Sequence, residues 1–225
     1  MSRSYAQYCP LARALDVVGD RWAMLIVREL SFSPKRFTDL EQRLGGIAPN
    51  LLSRRLKELE TAQVVARRRL DPPAAATVYE LTEKGRGLET AMFELAKWGI
   101  EFLGAFEGGE AFNLEWLIPA LEEMADRDAA RGVWDVYEFR IGDAAFWVRV
   151  EDGDVTVRAG RAAGKVDLLV ETDLETFMGI GFGTIVPEDA AAGGRTRIIG
   201  DATKAEKALD ILAPVRRIFT SATVS

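Results

Sequence analysis

The feature that most constrains this chain is the stretch Ala48 to Thr61, Ala-Pro-Asn-Leu-Leu-Ser-Arg-Arg-Leu-Lys-Glu-Leu-Glu-Thr. At about 100° per residue, Leu52, Leu56 and Leu59 fall on one stripe, while Asn50, Arg54, Lys57 and Thr61 fall on the opposite face. A helix divided in this way packs on one side and leaves the other free to touch a ligand. Asn, Arg and Lys are side chains that hydrogen-bond base edges and phosphates, and a helix has the width to enter a DNA major groove. The stretch therefore reads as a recognition helix in which Arg54, Arg55 and Lys57 carry affinity and Asn50 and Ser53 tune base choice. An ordinary solvated amphipathic helix has the same pattern, so the neighbouring segments must decide.

Those neighbours are short helices and turns. Leu11, Ala14, Leu15 and Val18 share a helical face that Gly19-Asp20 ends, and Trp22, Leu25, Ile26 and Leu30 form a second stripe over Arg21 to Leu30. Ser33-Pro34 breaks the chain, Phe37 to Leu44 forms a third helix, and Gly45-Gly46 supplies a turn in which φ > 0 carries no steric penalty. Pro49 suits the first helical position, whereas Ala48 is a poor N-cap, a weakness of about 1 kcal/mol beside Ser or Thr. Val64 to Leu70 then reads as a strand, Asp71-Pro72-Pro73 as a turn and Thr77 to Leu81 as the returning strand. Helix, turn, helix and hairpin make a winged helix, and Arg67, Arg68 and Arg69 lie where a wing would run along a phosphate backbone. Thr82-Glu83-Lys84-Gly85 opens one long helix through Leu103, whose stripe of Leu88, Ala91, Met92, Leu95, Trp98 and Phe102 serves either a helical dimer seam or the monomer's own core.

Charge supports contact with nucleic acid in the first half only. The whole chain of 225 residues carries a net charge of −6, but residues through Leu103 hold 16 basic and 13 acidic side chains, and the remainder 13 and 22. Between Lys35 and Arg69 nine basic residues face four acidic ones, a local basic footprint that whole-chain charge conceals. The acidic second half would repel DNA. With 48% hydrophobic and 28% charged residues the composition is that of a folded soluble chain long enough for one or two domains. No apolar run reaches the ~18 residues of a membrane span and the N-terminus lacks a signal-peptide core, so a cytoplasmic protein with no membrane partner is expected. A single cysteine excludes an internal disulfide, and the absence of histidine argues against zinc sites and Ser-His-Asp hydrolysis.

Several ordered motifs of the first half resemble the HxlR-type winged-helix transcription regulators: Cys9-Pro10, Gly19-Asp20-Arg21-Trp22 with Leu25-Ile26 and Leu30, Arg36 to Leu40, Leu52 to Leu59, and Tyr79-Glu80-Leu81-Thr82 with Gly85. The resemblance spans roughly residues 5 to 103. It implies a homodimer joined through its first and last helices, with recognition helices in successive major grooves of a palindromic double-stranded DNA operator. Two departures stand out: Ala48 where the family usually has Ser, and Ala74-Ala75-Ala76 at a wing tip that is commonly more basic. Cys9 falls where many members carry a cysteine that senses oxidants or electrophiles; its other reading is a small buried packing residue.

Beyond Glu107-Gly108-Gly109-Glu110, taken as the boundary between domains 1–106 and 107–225, Phe112 to Arg131 reads as mostly helical with Pro119 kinking or dividing it. The period then becomes two. Tyr137, Phe139 and Ile141 alternate with Glu138 and Arg140, Phe146, Val148 and Val150 with Trp147 and Arg149, and Val155 and Val157 with Thr156 and Arg158. Gly142-Asp143 and Asp152-Gly153 supply the hairpin turns of an antiparallel meander. Val166 to Val170 and Thr196 to Ile199 read as two more strands, with helices over Asp173 to Ile180 and Ala202 to Leu212.

The turns Asp152-Gly153-Asp154, Val166 to Val170 followed by Thr172-Asp173, and Arg197-Ile198-Ile199-Gly200-Asp201 resemble the sterol carrier protein fold over about 130 to 215. This resemblance implies a five-stranded sheet with helices on one side enclosing an apolar tunnel, and the whole chain is then α+β. Phe139, Phe146, Phe177, Met178, Ile180 and Phe182 are the candidates to line the cavity; each alone also reads as plain core. Gly179-Ile180-Gly181-Phe182-Gly183 follows a helix and lacks the Lys-Ser/Thr of a phosphate loop, and adjacent Glu122 and Glu123 do not share a helical face. No catalytic constellation and no cofactor site emerge. Two functions follow: a dimeric transcription regulator whose second domain takes a hydrophobic effector, or a lipid carrier that uses the winged helix only to dimerise or dock.

Overall fold

A computed structural model describes residues 4–72, 75–99, 102 and 112–221, with the side chains of Phe182, Ala202 and residues 213–221 left aside. The chain forms two compact units, Met1–Ala96 and Lys97–Ser225, each with its own hydrophobic core. The Glu107 to Glu110 boundary expected from the sequence lies outside the described residues.

In the first unit α1 (Pro10–Val18), α2 (Ala23–Phe32), α3 (Phe37–Leu44) and α4 (Pro49–Thr61) precede an antiparallel hairpin of β1 (Val65–Arg69) and β2 (Thr77–Leu81). The stripes predicted from periodicity meet in one core: Ile26 and Leu30 of α2, Leu40 and Leu44 of α3, and Leu52, Leu56 and Leu59 of α4 against Val65 and Leu81 of the hairpin. Gly45 and Gly46 turn between α3 and α4 with φ of 44° and 79°. Pro49 opens α4, and Ala48 gives it no side-chain cap. Lys35 forms an isolated β-bridge to the hairpin that the sequence pattern does not show, exchanging backbone hydrogen bonds of 3.0 and 2.8 Å with Tyr79. The fully buried Glu29 accepts from Arg43 Nε at 2.6 Å and Arg28 at 2.9 Å, so its charge is compensated inside the unit.

The single helix predicted from Thr82 to Leu103 is two. Thr82 accepts from the Gly85 N–H to cap α5 (Glu83–Arg86); the chain turns at Gly87 and resumes as α6 (Glu89–Gly99), and Leu103 lies outside the described residues. Gly85 is required by close approach, because a Cβ there would sit 2.1 Å from the Val64 carbonyl oxygen. Leu88 and Met92 pack on the core, whereas Leu95, Trp98 and Phe102 are exposed, the last two with ring centroids 4.7 Å apart edge to face.

The second unit contains a five-stranded mixed sheet in the order β5-β4-β3-β6-β7, with β3 (Trp134–Ile141), β4 (Ala144–Glu151), β5 (Asp154–Ala159), β6 (Leu168–Thr172) and β7 (Thr196–Gly200). The predicted meander β3-β4-β5 is antiparallel throughout; β6 runs parallel to β3 and antiparallel to β7. Tyr137, Phe146, Val148, Val157 and Leu168 bury one face of the sheet against α7 (Ile118–Met124), α8 (Leu174–Phe182) and α10 (Ala202–Ser221). A short helix, α9 (Pro187–Ala192), precedes β7.

Three expectations need correction here. Phe112 to Arg131 is helical over only half its length, in one 3-10 turn at Leu114–Trp116 and in α7, and Pro119 sits in the first turn of α7, where a missing N–H is harmless, instead of dividing it. The fourth strand begins at Leu168 and not at Val166, because the Asp167 side chain accepts from the Val136 N–H at 3.1 Å. Glu138, on the face opposite the core, is nonetheless buried: it accepts from Arg140 Nε at 2.7 Å and from the Ala162 N–H at 2.9 Å as the following loop folds over it.

Candidate nucleic-acid interface and apolar cavity

The polar face of α4 is open. Asn50, Ser53, Arg54, Lys57 and Thr61 are exposed, while Leu52, Leu56 and Leu59 on the other side are buried. Among the described residues the side chains of Asn50, Ser53, Arg54 and Lys57 have no hydrogen bond or ion pair to the rest of the chain, so their donors and acceptors face solvent. Arg55 does not share this face. Its guanidinium turns inward to Asp20, at the end of α1, and to Glu58 one turn on, and its side chain is only 14% exposed. That is a strut between the α1–α2 turn and α4, with no free donor fork for a phosphate. Sequence periodicity could not show this, since Asp20 lies 35 residues away.

The wing divides in the same manner. Arg67 and Arg69 continue the face of β1 that begins with buried Val65, and both are exposed. Arg68 points to the other face and is bonded to both carboxylate oxygens of Glu80 at 3.0 and 3.1 Å; that pair holds the Glu80 carboxyl below its usual range. Cys9 is the N-cap residue of α1 and half-buried. Arg13, one turn on, is turned away to Asp16 at 3.4 Å and Ser4 at 3.3 Å. The Asp16 carboxyl is held below its usual range by the Tyr5 N–H, then by the Ser4 hydroxyl.

In the second unit a cavity of about 230 Å³ lies between the sheet and its helices. Phe139 and Phe146 stack at 4.7 Å and 8° on neighbouring strands, and Phe177 of α8 meets Phe146 edge-on at 6.0 Å. These three, with Met178 and Ile180, form the aromatic and aliphatic wall; the side chain of the sixth candidate, Phe182, lies outside the described residues. Leu121 of α7 and Ala205, Ala208 and Leu212 of α10 also line it, while Ile198 and Leu209, both partly exposed, and Asp210 lie toward solvent. Sequence alternation marks the strand residues; α7 and α10 join them only through the tertiary fold. At one end Thr172 donates to the Arg195 carbonyl at 3.0 Å and lies 3.2 Å from the Thr196 hydroxyl.

Alongside, Tyr137 OH donates to Asp135 at 3.0 Å, and Lys204 of α10 is bonded to Asp135 and to Asp167. Burial, then the neighbouring Asp135 charge, pushes the Tyr137 phenol far above its usual range, so it stays protonated and donates. The cluster fastens α10 to β3 and to the start of β6, which fixes one wall of the cavity. Among the described residues no group of side chains has metal-ligand character, and no helix is long and apolar enough to cross a membrane.

A helix-turn-helix with a hairpin wing gives the first unit a winged-helix fold with an open basic face, and the second unit is a mixed sheet packed with helices over an apolar cavity. Comparison with known proteins agrees on both. Residues 17–106 match the HxlR-like helix-turn-helix model and residues 116–213 match the SCP-2 sterol transfer family model. Similar proteins include the uncharacterized HTH-type transcriptional regulator YvaP of Bacillus subtilis, 35% identical over 99 residues that make up 44% of this chain and 92% of that one. The HTH-type transcriptional regulator YodB of the same organism is 36% identical over 95 residues, 42% of this chain and 85% of that protein. The structure of reduced YodB covers 46% of this chain and all of that chain at 34% identity and a TM-score of 0.39. The chain belongs to the HxlR-like helix-turn-helix family.

Proposed function

We propose that this chain is a cytoplasmic, homodimeric, sequence-specific regulator of transcription whose second unit binds a hydrophobic effector. One observation carries the reading: Asn50, Ser53, Arg54 and Lys57 stand exposed and unpaired on α4, directly behind a fully packed leucine stripe. Such a helix presents base-reading and phosphate-binding groups from a rigid base. Arg67 and Arg69 extend the contact along the backbone, and Arg55 and Arg68 leave the set of contact residues because carboxylates already hold them. Exposed Leu11 and Leu15 on α1 and Leu95 and Trp98 on α6 supply apolar surface for a second copy, which two-fold pairing on a palindromic operator requires. The names of the relatives favour the same reading. Cys9 remains a candidate sensor in it, through an adduct or a bond to the same residue of a second copy.

Effector control requires that the ligand bind the DNA-competent and DNA-incompetent forms unequally. The test begins with a duplex selected from a random pool by the intact protein, followed by fluorescence anisotropy on that duplex with Arg54→Glu. Binding should fall by at least tenfold, and wild-type affinity should drop steeply with salt as counterions are released. If Arg54→Glu binds the selected duplex as well as wild type, the regulator reading loses its mechanism and the carrier reading, with the winged helix as a docking module, takes its place.

A further inference from the structure

The two halves of α8 are built differently. Its first turn is fastened: the Asp173 carboxylate accepts from the Thr176 N–H at 2.7 Å and from the Thr176 hydroxyl at 2.9 Å, Thr176 is buried, and Phe177 meets Phe146 edge-on. The second half and its cap carry glycine at 179, 181 and 183. Gly183 takes the left-handed conformation that ends the helix, with φ of 73°. Gly179 is required by close approach, because a Cβ there would lie 2.4 Å from Ile185 Cδ1. Gly181 has no such reason: it is helical, and a Cβ on it would meet no atom of the described residues within 4 Å. Glycine inside a helix shifts the balance toward the frayed form by about two- to fivefold relative to alanine, so Gly181 loosens this segment with no packing gain in return.

We infer that Ile180 to Val186 is the gate of the cavity, hinged at Gly179 and loosened by Gly181. The inference rests on the reading of this cavity as an effector site and specifies how a ligand reaches it. Ile180, Gly181 and Pro187 line the cavity, and Ile198 and Leu209, which also line it, are partly exposed, so this stretch of the lining reaches the surface. Few contacts hold the segment closed. The Gly179 carbonyl accepts from the N–H groups of Thr184 at 2.9 Å and Ile185 at 3.0 Å and from the Thr184 hydroxyl at 3.2 Å, and the Ile185 side chain occupies the space where a Cβ of residue 179 would stand. Gly183 and Thr184 are exposed, so water replaces those hydrogen bonds at little net cost when the segment swings out. What opening gives up is the seat of Ile185 on Gly179. The fastened first turn stays in place, with Phe177 on the aromatic wall, as a stable base for a low-stability lid.

The experiment uses the full chain and the neutral fluorophore N-phenyl-1-naphthylamine, whose emission rises in an apolar site, in stopped-flow mixing and displacement. In Gly181→Ala the association and dissociation rates should fall together by about two- to fivefold, their ratio moving by less than either, because the substitution acts on the population of the open form through which the probe both enters and leaves. Gly179→Ala should raise both rates, since its Cβ displaces Ile185; helix propensity alone would make the two alanine variants behave alike. Ile185→Ala, which removes the seat without a clash, should also raise both. Hydrogen exchange without the probe gives an independent reading: amides from Ile180 to Ile185 should exchange more slowly in Gly181→Ala and faster in Ile185→Ala, with those of β3 and β4 unchanged. Wild-type rates in all three variants, slower rates in both glycine variants, or a Gly181→Ala effect on dissociation alone overturns the gate and leaves the cavity as a ligand site. Absence of saturable probe binding overturns the reading of the cavity on which the gate rests, and the gate with it.

Discussion

Arg54 and Arg55 are neighbours of identical chemistry in opposite surroundings, and the proposed function gives them opposite jobs. Arg55 is 14% exposed and its two carboxylate partners, Asp20 and Glu58, 35% and 36%. Breaking a fully buried pair costs 3–5 kcal/mol and breaking an exposed one about 0–1, so Arg55→Met, which keeps the apolar stem and leaves two carboxylates able to rehydrate, should cost about 1–2 kcal/mol. For a unit of this size that lowers the melting temperature by roughly 5–10 °C. Asp20→Ala should reproduce most of the loss, and the double variant should show a coupling of about 1 kcal/mol. Arg54→Met should stay within about 0.5 kcal/mol of wild type, because its side chain touches nothing that folding has to keep. DNA binding reverses the order. Arg54→Met should reduce the slope of log affinity against log salt by about one per recognition helix, and Arg55→Met should leave that slope unchanged at temperatures where it is folded. Thermal unfolding and a salt titration of anisotropy measure both quantities. An Arg55→Met protein that melts like wild type and loses a unit of salt slope would refute the division of labour.

Three further outcomes are expected. Gly85→Ala should destabilise the first unit by about 2 kcal/mol or more, seen in chemical denaturation, because the new Cβ would lie 2.1 Å from the Val64 carbonyl oxygen and backbone must move. Phe146→Ala should cost about 3–5 kcal/mol in the second unit by removing a fully buried ring that contacts both Phe139 and Phe177; a loss under 1 kcal/mol would mean that the aromatic wall does not form as described. Asp173 caps α8, and the Thr176 N–H, then its hydroxyl, hold the Asp173 carboxyl below the ordinary value. A depressed folded-state value means that the cap's stabilisation is complete above about pH 4 and is lost as pH falls through the folded value. Asp173→Asn should therefore flatten the acid limb of a stability-versus-pH curve and leave the neutral region little changed.

Much of this architecture is legible in the sequence where a period runs uninterrupted. The leucines of α4 and the alternation through β3, β4 and β5 place their side chains as expected, because burial on one face is a local property of the helix or strand. What escapes is set by partners distant in the chain. Arg55 carries the same charge as Arg54, and only the arrival of Asp20 from the α1–α2 turn turns it inward. Glu138 reads as an outward residue until the loop that contains Ala162 folds over it. The break at Gly87 was hidden because the apolar stripe continues in register on both sides, and the parallel pairing of β6 with β3 is invisible to a reading that extends the meander. Thr172 and Thr196 are not legible as cavity residues for a related reason: hydroxyls carry no apolar periodicity, and their meeting depends on the pairing of β6 with β7.

The uneven charge of the chain joins the two proposed recognition events. The second half holds 22 acidic against 13 basic residues, an excess that repels phosphates over distances comparable to the screening length of about 8–10 Å at physiological salt. That field acts against anions, whether the anion is a nucleic-acid backbone or a carboxylate ligand. On the first unit charge acts in the opposite sense, since the basic excess between Lys35 and Arg69 includes Arg54, Lys57, Arg67 and Arg69, all exposed and without an ion pair among the described residues. Raising salt should consequently weaken DNA binding steeply, where several phosphates each release a counterion, and leave the binding of an uncharged apolar ligand in the cavity almost unchanged. A neutral-ligand affinity that falls with salt as steeply as DNA binding would mean that the apolar cavity is not where the ligand binds.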